Sequence, residues 1–516
     1  MTKDGQVGDT FPTTDASGPD TPQEAGSDVP GSSDPGEPGS DVPSASESGQ
    51  PGSGVPGASA AGESRPDVPG ASESGEPGPG ASGTGARDDQ AGAGAGAGAE
   101  AGAGWRQAGV VCAVLGLATL AVVVVTTPWR ALPPSAPYVA PDPARDFTPA
   151  EIARAAAFDA ATTAPAYLSL GLSLLFAGLL VLTPVGARLL GRLRGPWWVR
   201  VVLGVLLLTA LVEAVRWPLG MWAETVLRAY GLSTQDWAAW SADRVKGIGV
   251  NAAVLAVAMI AVVGLARKVR RWWIPAAAGA FALTVALSFV YPVVVEPLYN
   301  DFRPMPQGPL RTGLLQMAAR DGVPVEDVLV ADASRRTTAL NAYVSGFGAT
   351  RRIVVYDTLL RAPAPQVELV VAHELGHARN GDVLDGTLVG ALGAAAGTAL
   401  LYLAFQLVRR RAGVASAADP RAVGVLVGLM SLATVLSGPA LNLVSRHVEA
   451  RADVHALDLT RDPATFVAMQ KRLAITNIAD LSPDAVEYAL YASHPSTPER
   501  IALARAWARL NGVPAP

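Results

Sequence analysis

The 516-residue chain is 49% hydrophobic and only 16% charged, with a formal charge of −5 and a mean hydropathy of +0.27. That balance is apolar for a chain of this size, and no nucleic-acid partner is expected. The single cysteine, Cys112, excludes an intramolecular disulfide and says nothing about the redox compartment.

Residues 1–104 are Gly, Pro, Ala, Ser, Asp and Glu with almost no large apolar side chain, and fragments recur, as in Gly26–Pro30 and Gly39–Pro43. Such a tract cannot bury enough apolar surface to offset its chain entropy, so it is expected to be a disordered arm. About 17 of the 45 acidic residues and 3 of the 40 basic ones fall in it, so an acidic tail precedes a basic body. No secretory signal pattern opens the chain.

Residues 105–290 hold apolar runs at Ala108–Thr127, Ala166–Leu182, Val199–Val215, Ile248–Leu265 and Ile274–Val293, the last reaching just past that stretch. Two more lie at Leu388–Val408 and Ala422–Ala440, within residues 388–441. Each approaches the ~20 residues needed to cross a bilayer. Trp129, Trp197, Trp198, Trp272 and Trp273 flank them as interfacial aromatics do. The expectation is a mainly α, polytopic membrane protein of about seven spans, with the lipid bilayer as its first partner. Arg188, Arg192 and Arg194, then Arg267, Lys268, Arg270 and Arg271, then Arg409–Arg411 all follow even-numbered spans. The positive-inside rule puts these turns and the tail in the cytoplasm and the loop after span five outside. A transporter reading rests on the spans alone, because Glu213 is the nearest thing to an intramembrane charge.

Residues 291–387 carry the chemistry. A Pro-punctuated stretch from Pro292 to Pro306 leads to an expected helix near Leu310–Asp321 and two β-rich runs, Val328–Ala331 and Ile353–Tyr356. A helix from about Pro365 then contains His373-Glu374-Leu375-Gly376-His377. Histidines four apart share one helix face, where two imidazoles can hold a zinc ion while Glu374 serves as general base. The strand before this helix is expected to offer an exposed edge to an extended peptide.

A catalytic zinc takes three protein ligands and leaves one position for water. Residues 442–516 supply candidates for the third. Glu449 and Asp453 share a helix face, Glu449 as ligand and Asp453 as the acceptor that fixes a ligating histidine's tautomer. His447 and His455 are rivals that point to other faces. His494 precedes Pro495, so it sits in an extended or turn conformation from which it could donate to an oxyanion.

Several segments in order resemble the CAAX prenyl protease 1 family of membrane-embedded zinc metallopeptidases. They are Glu296–Asn300 with Pro304–Pro306, Asp332–Arg336, Asn341–Gly348, Arg352–Leu360, the H-E-x-x-H helix, Ser445–Asp453 and Ser493–Arg500. The likeness runs from about Tyr138 to Leu510 and leaves the acidic tail outside it. It implies seven spans around a chamber, with a small α+β zincin-like catalytic portion. It further implies one zinc ion on His373, His377 and Glu449, Glu374 as base, and Asn341 and His494 as groups that steady the tetrahedral intermediate. Arg500 is implied as a partner just behind the ligands. In eukaryotic members the catalytic segments face the cytoplasm, opposite to the charge rule. The Ala, Gly and Arg bias reads as a GC-rich bacterium, so the expected setting is a bacterial cell membrane and the expected substrate a peptide or membrane protein. A catalytically silent zinc-binding scaffold is the competing function. Nothing in the chain speaks to its oligomeric state.

Overall fold

The computed structural model describes residues 86–516 except 291–296, 298, 299 and 347. Most of the expected disordered tail, the end of the fifth apolar run, and Glu296, Leu298, Tyr299 and Phe347 of the family-like segments lie outside the described residues.

The apolar runs form long helices. In chain order these are α1 (Ala86–Thr126), the short α2 (Pro143–Asp146), α3 (Pro149–Leu182), the short α4 (Val185–Leu190), α5 (Trp197–Ala229), α6 (Trp237–Lys268) and α7 (Trp273–Val290). Then come β1 (Phe302–Pro304), α8 (Pro309–Arg320), β2 (Asp327–Ala331), β3 (Ala342–Ser345) and β4 (Arg352–Tyr356). The chain finishes with α9 (Ala364–Asn380), α10 (Asp382–Val408), α11 (Val423–Thr460), α12 (Pro463–Asn477), α13 (Ala485–Tyr491) and α14 (Thr497–Leu510). Among the described residues, seven helices are long and apolar enough to cross a membrane: α1 from Gly104 onward, α3, α5, α6, α7, α10 and α11. At most 33% of any span's most apolar window is buried inside the protein, so the apolar surface of these helices is left for lipid.

Six of them pack in a closed circuit, α3 on α5, α5 on α6, α6 on α7, α7 on α10, α10 on α11 and α11 back on α3, with α1 lying along α10. The basic turns gather at one end. Arg267 donates to the carbonyl of Ala418 at 3.3 Å, and a Cβ on Gly413 would stand 3.0 Å from Pro184. The opposite end carries the catalytic elements, where the α5–α6 turn pairs with the chain after β2 through Thr234 N–H to the Arg336 carbonyl and Thr338 N–H to the Leu232 carbonyl.

Apart from α7, the helices are longer than the apolar runs, and three expectations change. Glu213 is not alone: it pairs with Arg244 of α6 at 2.9 Å and with Arg216 at 3.4 Å. The boundary expected at residue 442 falls inside one continuous 38-residue helix, α11. Charge resumes at Arg446, but no Gly or Pro stops the helix there, so the span runs straight into the catalytic portion. The boundary at 387/388 likewise falls inside α10.

The sheet has the order β1-β2-β4-β3, with β2 and β4 parallel and the outer pairs antiparallel. The two expected strands are its centre, β2 and β4. The other two are three and four residues long, too short for a period-two signal. The expectation of an exposed edge on the strand before the metal helix is overturned, because β4 is flanked on both sides and the edges are β1 and, next to β4, β3. Leu314, Ile353, Val371, Leu375, Phe466 and Trp507 centre the catalytic core, whereas Leu190, Val205, Met259, Trp273, Phe405 and Leu426 centre that of the bundle.

Helix α9 must approach α11 closely, and Gly376 permits it. A Cβ there would stand 3.1–3.2 Å from the His455 side chain. Gly376→Val is expected to force the helices apart and to cost about 1–3 kcal/mol of stability, read from thermal unfolding in detergent.

Candidate metal centre

Helix α9 buries its Val367, Val370, Val371 and Leu375 face in the catalytic core, which turns His373 and His377 toward α11. It ends at Gly381, whose φ of 74° is the left-handed conformation that suits glycine. That turn starts α10 at once and folds Asp382 back beneath the preceding helix. Across the gap, α11 presents Glu449 and Asp453 on one face, both buried.

His373 Nε2 lies 3.1 Å from Glu449 Oε2 and 3.2 Å from His377 Nε2, and His377 Nε2 lies 3.6 Å from Glu449 Oε1. One ligand atom from each residue falls within 4.8 Å of the others. The outer ring nitrogens are anchored. His373 Nδ1 donates to Asp453 at 2.9 Å and His377 Nδ1 to Asp382 at 2.8 Å. Arg500 grips Asp453 from behind with two N–H groups, Nε to Oδ2 at 2.7 Å and Nη2 to Oδ1. Arg451 of α11 pairs with Asp382.

With both Nδ1 atoms donating outward, both Nε2 lone pairs face inward beside a carboxylate. One proton satisfies a single acceptor there; a divalent cation satisfies all three. Two imidazoles and one carboxylate are also the donor set that suits zinc. Burial opposes a charged His373, but Asp453 and Glu449 outweigh it and push its pKa up to about 10. His377 is likewise raised against burial, chiefly by Asp382.

Glu374 faces a cavity of about 450 Å³ that it shares with His373, Asn341, His494 and Arg500. Burial raises its carboxyl pKa, with Glu449 adding to the rise and both histidines and Arg500 opposing it. His494 Nε2 stands 3.3 Å from Glu449 Oε2, and its Nδ1 is 2.9 Å from Ser493 Oγ. Burial lowers the His494 pKa, with Glu449 opposing the shift. Asn341 lies just before edge strand β3, on the cavity wall.

Asn341, His373, Glu374, His494 and Arg500 line this cavity, while His377 and Glu449 meet His373 at its metal-facing nitrogen and Asp453 stands behind it; the rival histidines lie elsewhere. His447 packs edge-on against Trp129 at 5.2 Å, and His455 bonds Asp321 at 3.0 Å. Sequence reasoning missed Asp382. Its one signal is the Asn380-Gly381-Asp382 helix stop, which does not announce that the next residue returns to a histidine.

Comparisons with known proteins place the chain in a family. Residues 304–508 match the model of Peptidase family M48, and residues 144–301 match that of the CAAX prenyl protease N-terminal region with five membrane helices. An uncharacterized metalloprotease, YhfN, of Bacillus subtilis is 30% identical over 303 residues, covering 58% of this chain and 71% of the relative. CAAX prenyl protease 1 of Saccharomyces cerevisiae is 24% identical, covering 57% of this chain and 70% of the relative. The homologue from Oryza sativa is 33% identical but is matched over only 53% of its length. The crystal structure of Saccharomyces mikatae Ste24p shares the fold with a TM-score of 0.61 at 19% identity, over 77% of this chain and 99% of that one.

Proposed function

Given that the chain belongs to the CAAX prenyl protease 1 family of M48 metallopeptidases, we propose that this multi-pass membrane protein is a zinc endopeptidase acting through His373, His377, Glu449 and Glu374. The observation that carries this reading is the convergence of two Nε2 atoms and one carboxylate, with one of the histidines, His373, lining a cavity beside Glu374. His373, His377 and Glu449 hold the ion. Bound there, zinc polarises a carbonyl and acidifies water. Glu374 takes the proton of the attacking water and returns it to the leaving amine. His494, whose Nδ1 is engaged by Ser493 Oγ, would present Nε2–H to the oxyanion together with the Asn341 amide. Asp453 and Asp382 fix the two histidine tautomers, and Arg500 fixes Asp453. The substrate lies extended along the outer edge of β3, which fixes its backbone by strand pairing.

The substrates this setting favours are unmodified polypeptides at a bacterial membrane, with prenylated peptides as the alternative class. Zinc content measured beside cleavage of unmodified, prenylated and unfolded membrane substrates tests both parts. Bound zinc without cleavage of any of the three would favour the silent scaffold.

Two further results are expected. Metal binding must displace the proton that His373 carries well below its raised pKa. Affinity measured by competition with a chromophoric chelator should thus rise at least about tenfold per unit between about pH 6 and pH 8. Asp382→Ala frees the outer nitrogen of His377 and should weaken metal binding about 10–100-fold in the same assay, with the bundle still folded.

A further inference from the structure

Edge strand β3 is closed at one end by a side chain. Its register pairs Ala342 with Val355 and Ser345 with Arg352, and the Asn341 carbonyl accepts the Tyr356 N–H at 3.0 Å. Backbone groups alternate in direction along an antiparallel strand, so Asn341, Tyr343 and Ser345 turn theirs to β4. Leu340, Ala342 and Val344 turn theirs outward, to the side where a substrate strand would add.

At Leu340 that outward side is already taken. The Asn477 amide accepts the Leu340 N–H through Oδ1 at 2.9 Å and donates from Nδ2 to the Leu340 carbonyl at 3.3 Å. One side chain thereby makes both hydrogen bonds that a neighbouring strand would make. Asn477 is held firmly in this position. It is the last residue of α12, whose Phe466, Met469 and Ala474 are buried in the catalytic core. Arg472 on the same helix bonds Gln366 of α9 at 2.6 Å. Leu340 and Asn477 both line the cavity that holds His373 and Glu374, so the closure stands beside the reacting centre.

We infer that the Asn477 amide plugs the outer edge of β3 at Leu340 and limits how far a substrate extends past the scissile bond on that side. The inference rests on the reading of β3 as the substrate-pairing edge of a peptidase. Asn477 is then a specificity determinant for chain length, favouring peptide bonds near a chain end or a short free segment. On the other side of the scissile bond the edge continues through Val344, with the Ala342 N–H already held by Asn341 Oδ1 at 2.9 Å, and substrate length is not restricted by Asn477.

The experiment uses the full-length protein in detergent and a peptide ladder. A cleavage site is mapped by mass spectrometry in denatured casein, and quenched peptides containing it are lengthened residue by residue toward either end. Wild type should lose kcat/KM as the chain grows toward one end only. Asn477→Ala should keep cleavage of the shortest peptide within about twofold and improve the longest peptide on the restricted side about tenfold, the gain from two freed edge hydrogen bonds. Asn477→Leu, which keeps the bulk, should not show this gain. An Asn477→Ala protein that cuts with the wild-type length profile overturns the plug. So does one that is folded and binds zinc but loses all lengths equally, since Asn477 would then only position the strand. Failure of wild type to cut unmodified, prenylated and unfolded membrane substrates alike would instead remove the peptidase reading, and the plug with it.

Discussion

Glu374→Gln is expected to bind metal as wild type does and to lose cleavage by about 10²–10⁴-fold or more in kcat, the range for removing a general base. The argument is one of roles. The three inward-facing donors belong to His373, His377 and Glu449, and Glu374 is not among them. Replacing its carboxylate by an amide of the same shape leaves those donors in place. It also removes a group whose ionisation is penalised by burial, so stability should not fall. What disappears is the cavity-lining carboxylate that directly follows the ligand His373 on α9 and can accept a proton without leaving the metal set. The raised pKa of Glu374 suits that task, because a base must also give its proton back to the leaving amine. His377→Ala is the contrasting case and should lose metal and cleavage together. A Glu374→Gln protein with wild-type turnover would sink the assignment.

How far the site could be read from the sequence depended on how local each contact is. His373, Glu374 and His377 lie within one helical turn, so their shared face follows from periodicity alone. Glu449 and Asp453 show the same four-residue spacing, but only the family resemblance, and then the packing of α11 on α9, brings them to the histidines. Asp382 was not legible, because its approach to His377 depends on the left-handed turn at Gly381 and on a pairing with Arg451 that is 69 residues away in the chain. The edge of the sheet was misread for a related reason. Ile353–Tyr356 has a strong β signal because it is buried between neighbours, whereas the real edge, Ala342–Ser345, is short and half-buried and carries no clear pattern. Likewise, charges after Leu443 suggest the end of a membrane span, yet α11 continues because those charges have partners. Arg446 donates to the carbonyls of Tyr488 and Ala492, and Arg451 meets Asp382. The seven spans themselves needed only length and apolarity, which is why they were the most legible part of the fold.

The largest loss of stability is expected from Arg500→Ala. Asp453 is fully buried, and its carboxylate is satisfied by the Arg500 guanidinium fork and by His373 Nδ1–H. Removing the guanidinium strands that charge in the protein interior, which costs about 3–5 kcal/mol when one partner of a buried pair is deleted. Thermal unfolding in detergent should fall accordingly. Arg500→Lys should recover only part of it, because an ammonium cannot make the two parallel hydrogen bonds of the fork. Metal affinity should drop as well, since Asp453 is what holds the His373 ring in orientation. The double variant Arg500→Ala with Asp453→Ala separates the two effects. With no stranded carboxylate left, stability should partly return, while metal affinity stays low because nothing anchors His373. If the double variant regained both, Asp453 would have no orienting role. If it regained neither, the pair would be holding the catalytic helices together through packing and not through charge.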